Sequence, residues 1–224
     1  MITTAAETGM DSARIVTIAP NVLAESLSYE EYRTLIADLY ANGEATGGSR
    51  SESMLHYTKL NQVRMKRLDK TTRLLPETES FLQNPDGEFV WLVITEGWCG
   101  DAAQILPVLN KMADSAEGVS IRFILRDEHL DVIDQFLTDG GRSIPIVLVL
   151  DPKTNRVLGN WGPRPAIMQA LAMETKQTIA TIEDPEERKT LNESVKIEAQ
   201  RWYTSDRTAS IQREFVSALS KLTK

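Results

Sequence analysis

The chain carries one cysteine, and it stands where a thiol can react. Cys99 lies in Trp98-Cys99-Gly100-Asp101-Ala102, after the apolar run Phe89-Val90-Trp91-Leu92-Val93-Ile94 and before a helical pattern. A strand leading into a helix places unpaired N–H groups and the positive end of the helix dipole at the turn, and both favour a thiolate. A cysteine so placed can titrate well below the roughly 8.5 of a free thiol. Asp101 pulls both ways: it suits the helix terminus, yet its charge opposes the thiolate. The competing reading of Cys99 is a buried, inert thiol, because free cysteine is among the most buried residue types. Trp98 reads either as a packing residue or as a lid over the thiol. Asp101 reads first as a helix-terminal charge and second as an acid–base group.

Counting narrows the chemistry further. One cysteine excludes an intramolecular disulfide, a Cys-x-x-Cys redox pair and a cysteine-rich zinc site. The two histidines, His56 and His129, are far apart in the chain and count against a His-rich metal centre. No metal and no cofactor is therefore expected, although counting does not address a carboxylate-built magnesium or calcium site. With 32 acidic against 25 basic residues and a net charge of −7, there is no basic stripe for nucleic acid. No apolar run approaches the roughly 20 residues needed to span a bilayer, so no membrane partner is expected. Met1 to Ala19 lacks the basic flank and apolar stretch of a secretory signal, and a reduced, cytoplasmic setting fits. The 224 residues, 42% hydrophobic and 25% charged, suit one or two globular domains.

The elements that must hold Cys99 can be read from periodicity. After a poorly patterned lead-in over 1–27, Ser28 and Glu31 have the spacing of a capping box. Tyr29, Tyr32, Leu35, Ile36, Leu39 and Tyr40 follow at helical spacing until Gly43. A second helix is expected over Ser51 to Leu68, with Leu55, Leu60 and Val63 on its inner side, and a short third one over Pro76 to Asn84. The turn Asn84-Pro85-Asp86-Gly87 opens a region of different character. There the pattern predicts a strand over Glu88 to Thr95, a helix from Cys99 to Asp114, and a strand over Val119 to Leu125. A helix over Asp127 to Thr138, strands over Ile144 to Leu150 and Arg156 to Trp161, and a helix over Pro163 to Met173 follow. The first connections call for parallel crossovers and the turn at 151–155 for an antiparallel hairpin, which gives a mixed α/β sheet flanked by helices. Asp184, with Pro185 after it, caps a further helix, and Ser205 is expected to cap the last. His56-Tyr57 and Asn61-Gln62-Val63-Arg64 are polar groups able to face a cleft, with packing or solvent as their default.

Trp98-Cys99-Gly100 after an apolar strand, with Arg142-Ser143-Ile144-Pro145 before a later one and Gly162 after the last, resembles the thioredoxin family. The resemblance covers residues 86–176, leaving helical extensions over 1–85 and 177–224 around a thioredoxin-like core in what reads as one compact unit. It implies a thioredoxin fold in which the Ile144–Pro145 peptide is cis and packs against Cys99. Residue 144 would then offer its backbone to an extended substrate, with Trp98 and Gly100 lining the same cleft. The usual Trp-Cys-Gly-Pro-Cys is here Trp-Cys-Gly-Asp-Ala, so Ala102 replaces the resolving cysteine. The family's buried proton-transfer acid would fall near Val93, leaving Glu96 and Asp101 as the nearest carboxylates. Bacterial thioredoxin-like proteins with this turn and long helical extensions form a similar subgroup. Arg164, in Trp161-Gly162-Pro163-Arg164-Pro165, is placed to receive an acidic ligand group or to form a local ion pair.

Two functions fit these residues. In one, Cys99 exchanges thiols and disulfides and forms mixed disulfides with a low-molecular-weight thiol or a protein thiol. In the other, the cleft at Trp98 and Ile144-Pro145 binds a partner without catalysis. The sequence leaves the oligomeric state open.

Overall fold

The computed structural model describes residues 15–83 and 87–222. The leader reading over residues 1–14 and the turn residues Asn84-Pro85-Asp86 lie outside the described residues.

The segment before the first long helix is more ordered than its pattern suggests. Thr17 pairs with Arg156 beside one edge of the sheet, and Leu27 pairs with Phe123 on the opposite edge. Between them lies α1 (Pro20–Glu25), with Pro20 at its first turn. One short stretch of chain thus lies along both sheet edges and blunts them. Helix α2 (Tyr29–Ala41) starts at the capping box: the Ser28 hydroxyl accepts from the Glu31 amide, and the Glu31 carboxylate accepts from the Ser28 amide.

Helix α3 (Glu52–Thr71) corrects the expected inner stripe. Leu60 and Val63 are 37% and 64% exposed, while Thr58, Asn61, Met65 and Leu68 face inward. Those four keep the i, i+3, i+7, i+10 spacing of a buried helix face, with polar residues at two positions. Asn61 is tolerated there because its Nδ2 donates to the Gly97 carbonyl at 3.0 Å and its Oδ1 accepts from Arg64 at 2.9 Å.

After α4 (Pro76–Leu82), the sheet is built from β1 (Phe89–Thr95), β2 (Val119–Leu125), β3 (Ile146–Leu150) and β4 (Val157–Trp161), in the order β2-β1-β3-β4. β1 and β2 are parallel and joined through α5 (Ala102–Asp114). β3 runs antiparallel to β1, so only the first expected crossover is parallel. The link between β2 and β3 holds one short helix, α6 (Leu130–Ile133), rather than a helix over 127–138. The Asp127 amide is drawn onto the Glu96 carboxylate, and His129 has non-helical angles, so the helix starts late. It ends at Ile133, and further on Thr138 pairs with Gly141 around a tight turn at Asp139 and Gly140, both of which take left-handed angles.

The C-terminal helices are α7 (Ala166–Thr181), α8 (Pro185–Asp206) and α9 (Ala209–Leu219). Ser205 is not a cap: α8 runs through it, and the chain breaks at Arg207 and Thr208, both left-handed. The Asp206 carboxylate accepts from the Ser210 amide at the new helix start. Helix α9 packs on β4, α4 and α5, and Phe215 sits edge-on to Trp91 at 4.7 Å between ring centres. Helix α3 packs along α5, and α2 packs on α3 and β2. The core runs through β1 and β3, every residue of which from Trp91 to Thr95 and from Ile146 to Leu150 is buried. Among the described residues no helix is long and apolar enough to cross a membrane.

Glu96, the first residue beyond β1, is fully buried. Its Oε1 accepts from the Asp127 amide at 2.9 Å, while its Oε2 has no hydrogen-bond partner among the described residues. Desolvation holds its carboxyl above the ordinary range, outweighing the pull of the Thr46 hydroxyl and the Asp127 amide. A raised folded-state value means stability that is present below the unfolded value and lost as pH rises through the folded one. Glu96→Gln keeps the acceptor and removes the charge. It is expected to be more stable than the parent at pH 7, and not at pH 4. Urea midpoints at the two pH values check this; an equal change at both rules it out.

Candidate functional site

Cys99 occupies the turn between β1 and α5, which begins at Ala102 rather than at the cysteine. Its Sγ lies 3.4 Å from the Ile144 carbonyl, to which the thiol donates, and 3.5 Å from the Ala102 amide, which donates to it. The Ile144–Pro145 peptide is cis, so the expected pairing of Cys99 with Ile144-Pro145 is present. Gly162 backs this loop from the end of β4. A Cβ at Gly162 would run into the Pro145 carbonyl oxygen and stand 3.3 Å from the Ile146 Cα, and its φ of +127° is one that side chains rarely adopt. Only glycine lets the two loops meet.

The electrostatics oppose the activation expected at a helix N-terminus. Cys99 is 8% exposed, and its thiol is pushed up to about 12. Burial is the main cause and the Asp101 charge the second. The Ala102 and Asp101 amides and the Arg164 guanidinium pull the other way and lose. Desolvating a thiolate costs more than a dipole end and one amide contact return.

Asp101 and Arg164 come together, although 63 residues apart. The guanidinium Nε donates to Asp101 Oδ2 at 2.9 Å, and the Tyr203 hydroxyl donates to Oδ1 at 2.8 Å. Arg164 thus takes the local ion-pair role rather than standing free, and its Nη1 donates to Gln169. Asp101 caps no backbone amide with its side chain. Trp98 is half-buried beneath Arg126, whose guanidinium carbon stands 4.9 Å from the ring centre.

Helices from before and after the sheet region both reach this turn. Asn61 of α3 holds the Gly97 carbonyl, and the Thr46 hydroxyl accepts from the Gly97 amide at 2.9 Å. From α8 come Tyr203 and Gln200; the latter's Oε1 accepts from Gln104 at 2.6 Å. The space above Gly100 is bounded by Arg64 and Gln200. Of these, Asn61 and Arg64 stood out in sequence as polar residues on a helix. Tyr203 and Gln200 carry no local signal, since their partners are 102 and 96 residues away.

A parallel β1–β2 pair, an antiparallel β3–β4 hairpin, and a cysteine after β1 facing a cis-proline before β3 define a thioredoxin-like α/β fold. The chain belongs to the thioredoxin family: the family described as Thioredoxin matches residues 47–200, from before α3 to within α8. No curated protein matches the sequence. Two solved structures are similar at 19% identity and a TM-score of 0.50. One is an HIV epitope-scaffold, over 87% of this chain and 99% of its own. The other is a protein of unknown function from Pseudomonas aeruginosa, over 87% and 98%. At that identity the likeness is one of fold.

Proposed function

We propose that the protein exchanges thiols with disulfides through Cys99 alone, in a reducing cytoplasm, and holds that thiol protonated and covered at rest. The observation that carries this reading is the position of Sγ between the Ile144 carbonyl and the Ala102 amide, beside Pro145. The Cys99 thiolate attacks one sulfur of a disulfide R–S–S–R′, forming Cys99–S–S–R and releasing R′–S⁻. A second small thiol, as thiolate, then attacks the R-bearing sulfur, forms a new disulfide and returns Cys99 as thiolate. The incoming thiol is oxidised into a new disulfide with R, R′ leaves as the reduced thiolate, and Cys99 ends unchanged. Ala102 cannot resolve the intermediate, so the second sulfur always comes from another molecule.

The test is intact-mass measurement after incubation with a small disulfide, followed by addition of a small thiol. The expected result is one adduct on the parent, none on Cys99→Ser, and loss of the adduct on reduction. No adduct at any pH up to 10 would overturn exchange.

The burial of Cys99 and its raised thiol favour a second reading, a thioredoxin-fold binding module in which the sulfur only packs. On that reading Cys99→Ser keeps partner binding and cellular function intact.

A further inference from the structure

Two donor groups meet at Gly100, the residue after Cys99. A Cβ on Gly100 would stand 3.8 Å from Arg64 Nη1 and 3.9 Å from Gln200 Nε2, with no nearer atom beyond its chain neighbours. Gly100 has no left-handed φ that would require glycine, and both donor groups stand at ordinary contact distance from where its Cβ would be. Gln200 is oriented for donation, because its Oε1 is engaged by Gln104 and Nε2 is the atom left facing Gly100. Arg64 donates to Asn61 Oδ1, and among the described residues it has no carboxylate partner. A guanidinium has five N–H donors in a fork that matches a carboxylate.

We propose that Arg64 and Gln200 seat a carboxylate of the small thiol-bearing molecule captured by Cys99, so that the preferred substrate is an anionic disulfide. The chemical class rests on the exchange reading above; the anion seat itself does not. Asp101 does not occupy the seat, since Arg164 and Tyr203 engage both of its oxygens. Lys196, on α8 one turn before Gln200, donates to Tyr57 of α3 and adds a second positive charge between the same two helices. Burial opposes the charge on Arg64, and a bound anion offsets that cost. The seat joins one helix from each extension to the reactive turn, which gives both extensions a part in choosing the substrate.

The experiment has two arms. In the first, rates of adduct formation on Cys99 are measured with oxidised glutathione, which is anionic, and with hydroxyethyl disulfide, which is neutral. The ratio of the two rates is expected to fall on the order of tenfold in Arg64→Gln and to recover in part in Arg64→Lys. Gln200→Glu, which places a carboxylate beside Arg64, is expected to lower the ratio at least as far. A ratio that does not move in Arg64→Gln overturns the proposal, whereas a merely structural role would slow both reactions together. In the second arm, S-methylglutathione, which has no sulfur able to exchange, is titrated into Cys99→Ser and Cys99→Ser/Arg64→Gln by calorimetry. Affinity is expected to drop on the order of tenfold with Arg64→Gln. Equal affinity, or no binding to either, overturns the seat. An absence of adducts with every disulfide while this arm succeeds overturns exchange and leaves the seat standing.

Discussion

Gly162→Ala is expected to cost about 3 kcal/mol of folding stability or more. Two causes add. The backbone at Gly162 has φ of +127°, and its new Cβ would enter the Pro145 carbonyl oxygen, a backbone atom that cannot rotate away. The loop that would have to move carries Ile144 and Pro145, whose neighbour Ile146 begins β3 at the centre of the sheet. Gly140→Ala is the control, since Gly140 also has a positive φ of +74° but nothing within 4 Å of a new Cβ. It is expected to cost about 1 kcal/mol, the backbone penalty alone. Denaturant midpoints of the two variants decide the matter. A Gly162→Ala loss no larger than that of Gly140→Ala would refute the close-approach account. Because the same loop covers Cys99, Gly162→Ala is also expected to speed Cys99 alkylation, whereas Gly140→Ala leaves it unaltered.

What could be read in the sequence and what could not divide along a physical line. Features whose partners lie within a few residues were legible. Ser28 and Glu31 cap each other, and Ile146 to Leu150 is apolar throughout because both its faces are covered. Ile144-Pro145 and Gly162 were legible through the family resemblance, which ties a local dipeptide to a known geometry. Features that depend on long-range pairing were not. Leu60 and Val63 suggested the wrong inner face for α3, because hydropathy cannot show that Asn61 finds the Gly97 carbonyl across the fold. Nor can it show that Tyr203 reaches back to Asp101. The sign of the Cys99 shift escaped for a related reason. Helix position is a local property, but burial depends on everything packed around the turn, including α3 and α8, and burial outweighs the dipole.

Asp101 gives that balance an experimental handle. With the thiol pushed up to about 12, Cys99 in the parent is expected to alkylate at pH 8 on the order of a thousandfold more slowly than a free cysteine peptide. Its rate should still be climbing at pH 10, where the peptide has levelled off. Asp101→Asn removes the charge that is the second cause of the shift and leaves Arg164 uncompensated, so both changes favour the thiolate. Alkylation at pH 8 is expected to rise on the order of tenfold, with the pH profile displaced to lower values. Tyr203→Phe separates charge from access: it removes the hydroxyl that donates to Asp101 and leaves the carboxylate in place. If Tyr203→Phe speeds alkylation as much as Asp101→Asn with no displacement of the profile, then entry to the buried sulfur, not its charge, sets the rate. Stability carries the same sign. A thiol whose folded value lies above its unfolded one contributes stability that is complete below about pH 9 and is lost as pH rises toward 12. Asp101→Asn should therefore weaken the alkaline fall in stability, and Cys99→Ser should remove the cysteine's share of it. A carboxylate that both raises the thiol and anchors Tyr203 of α8 thus works against reactivity at rest. On the exchange reading, the proton it helps to retain must leave Cys99 before any disulfide is attacked.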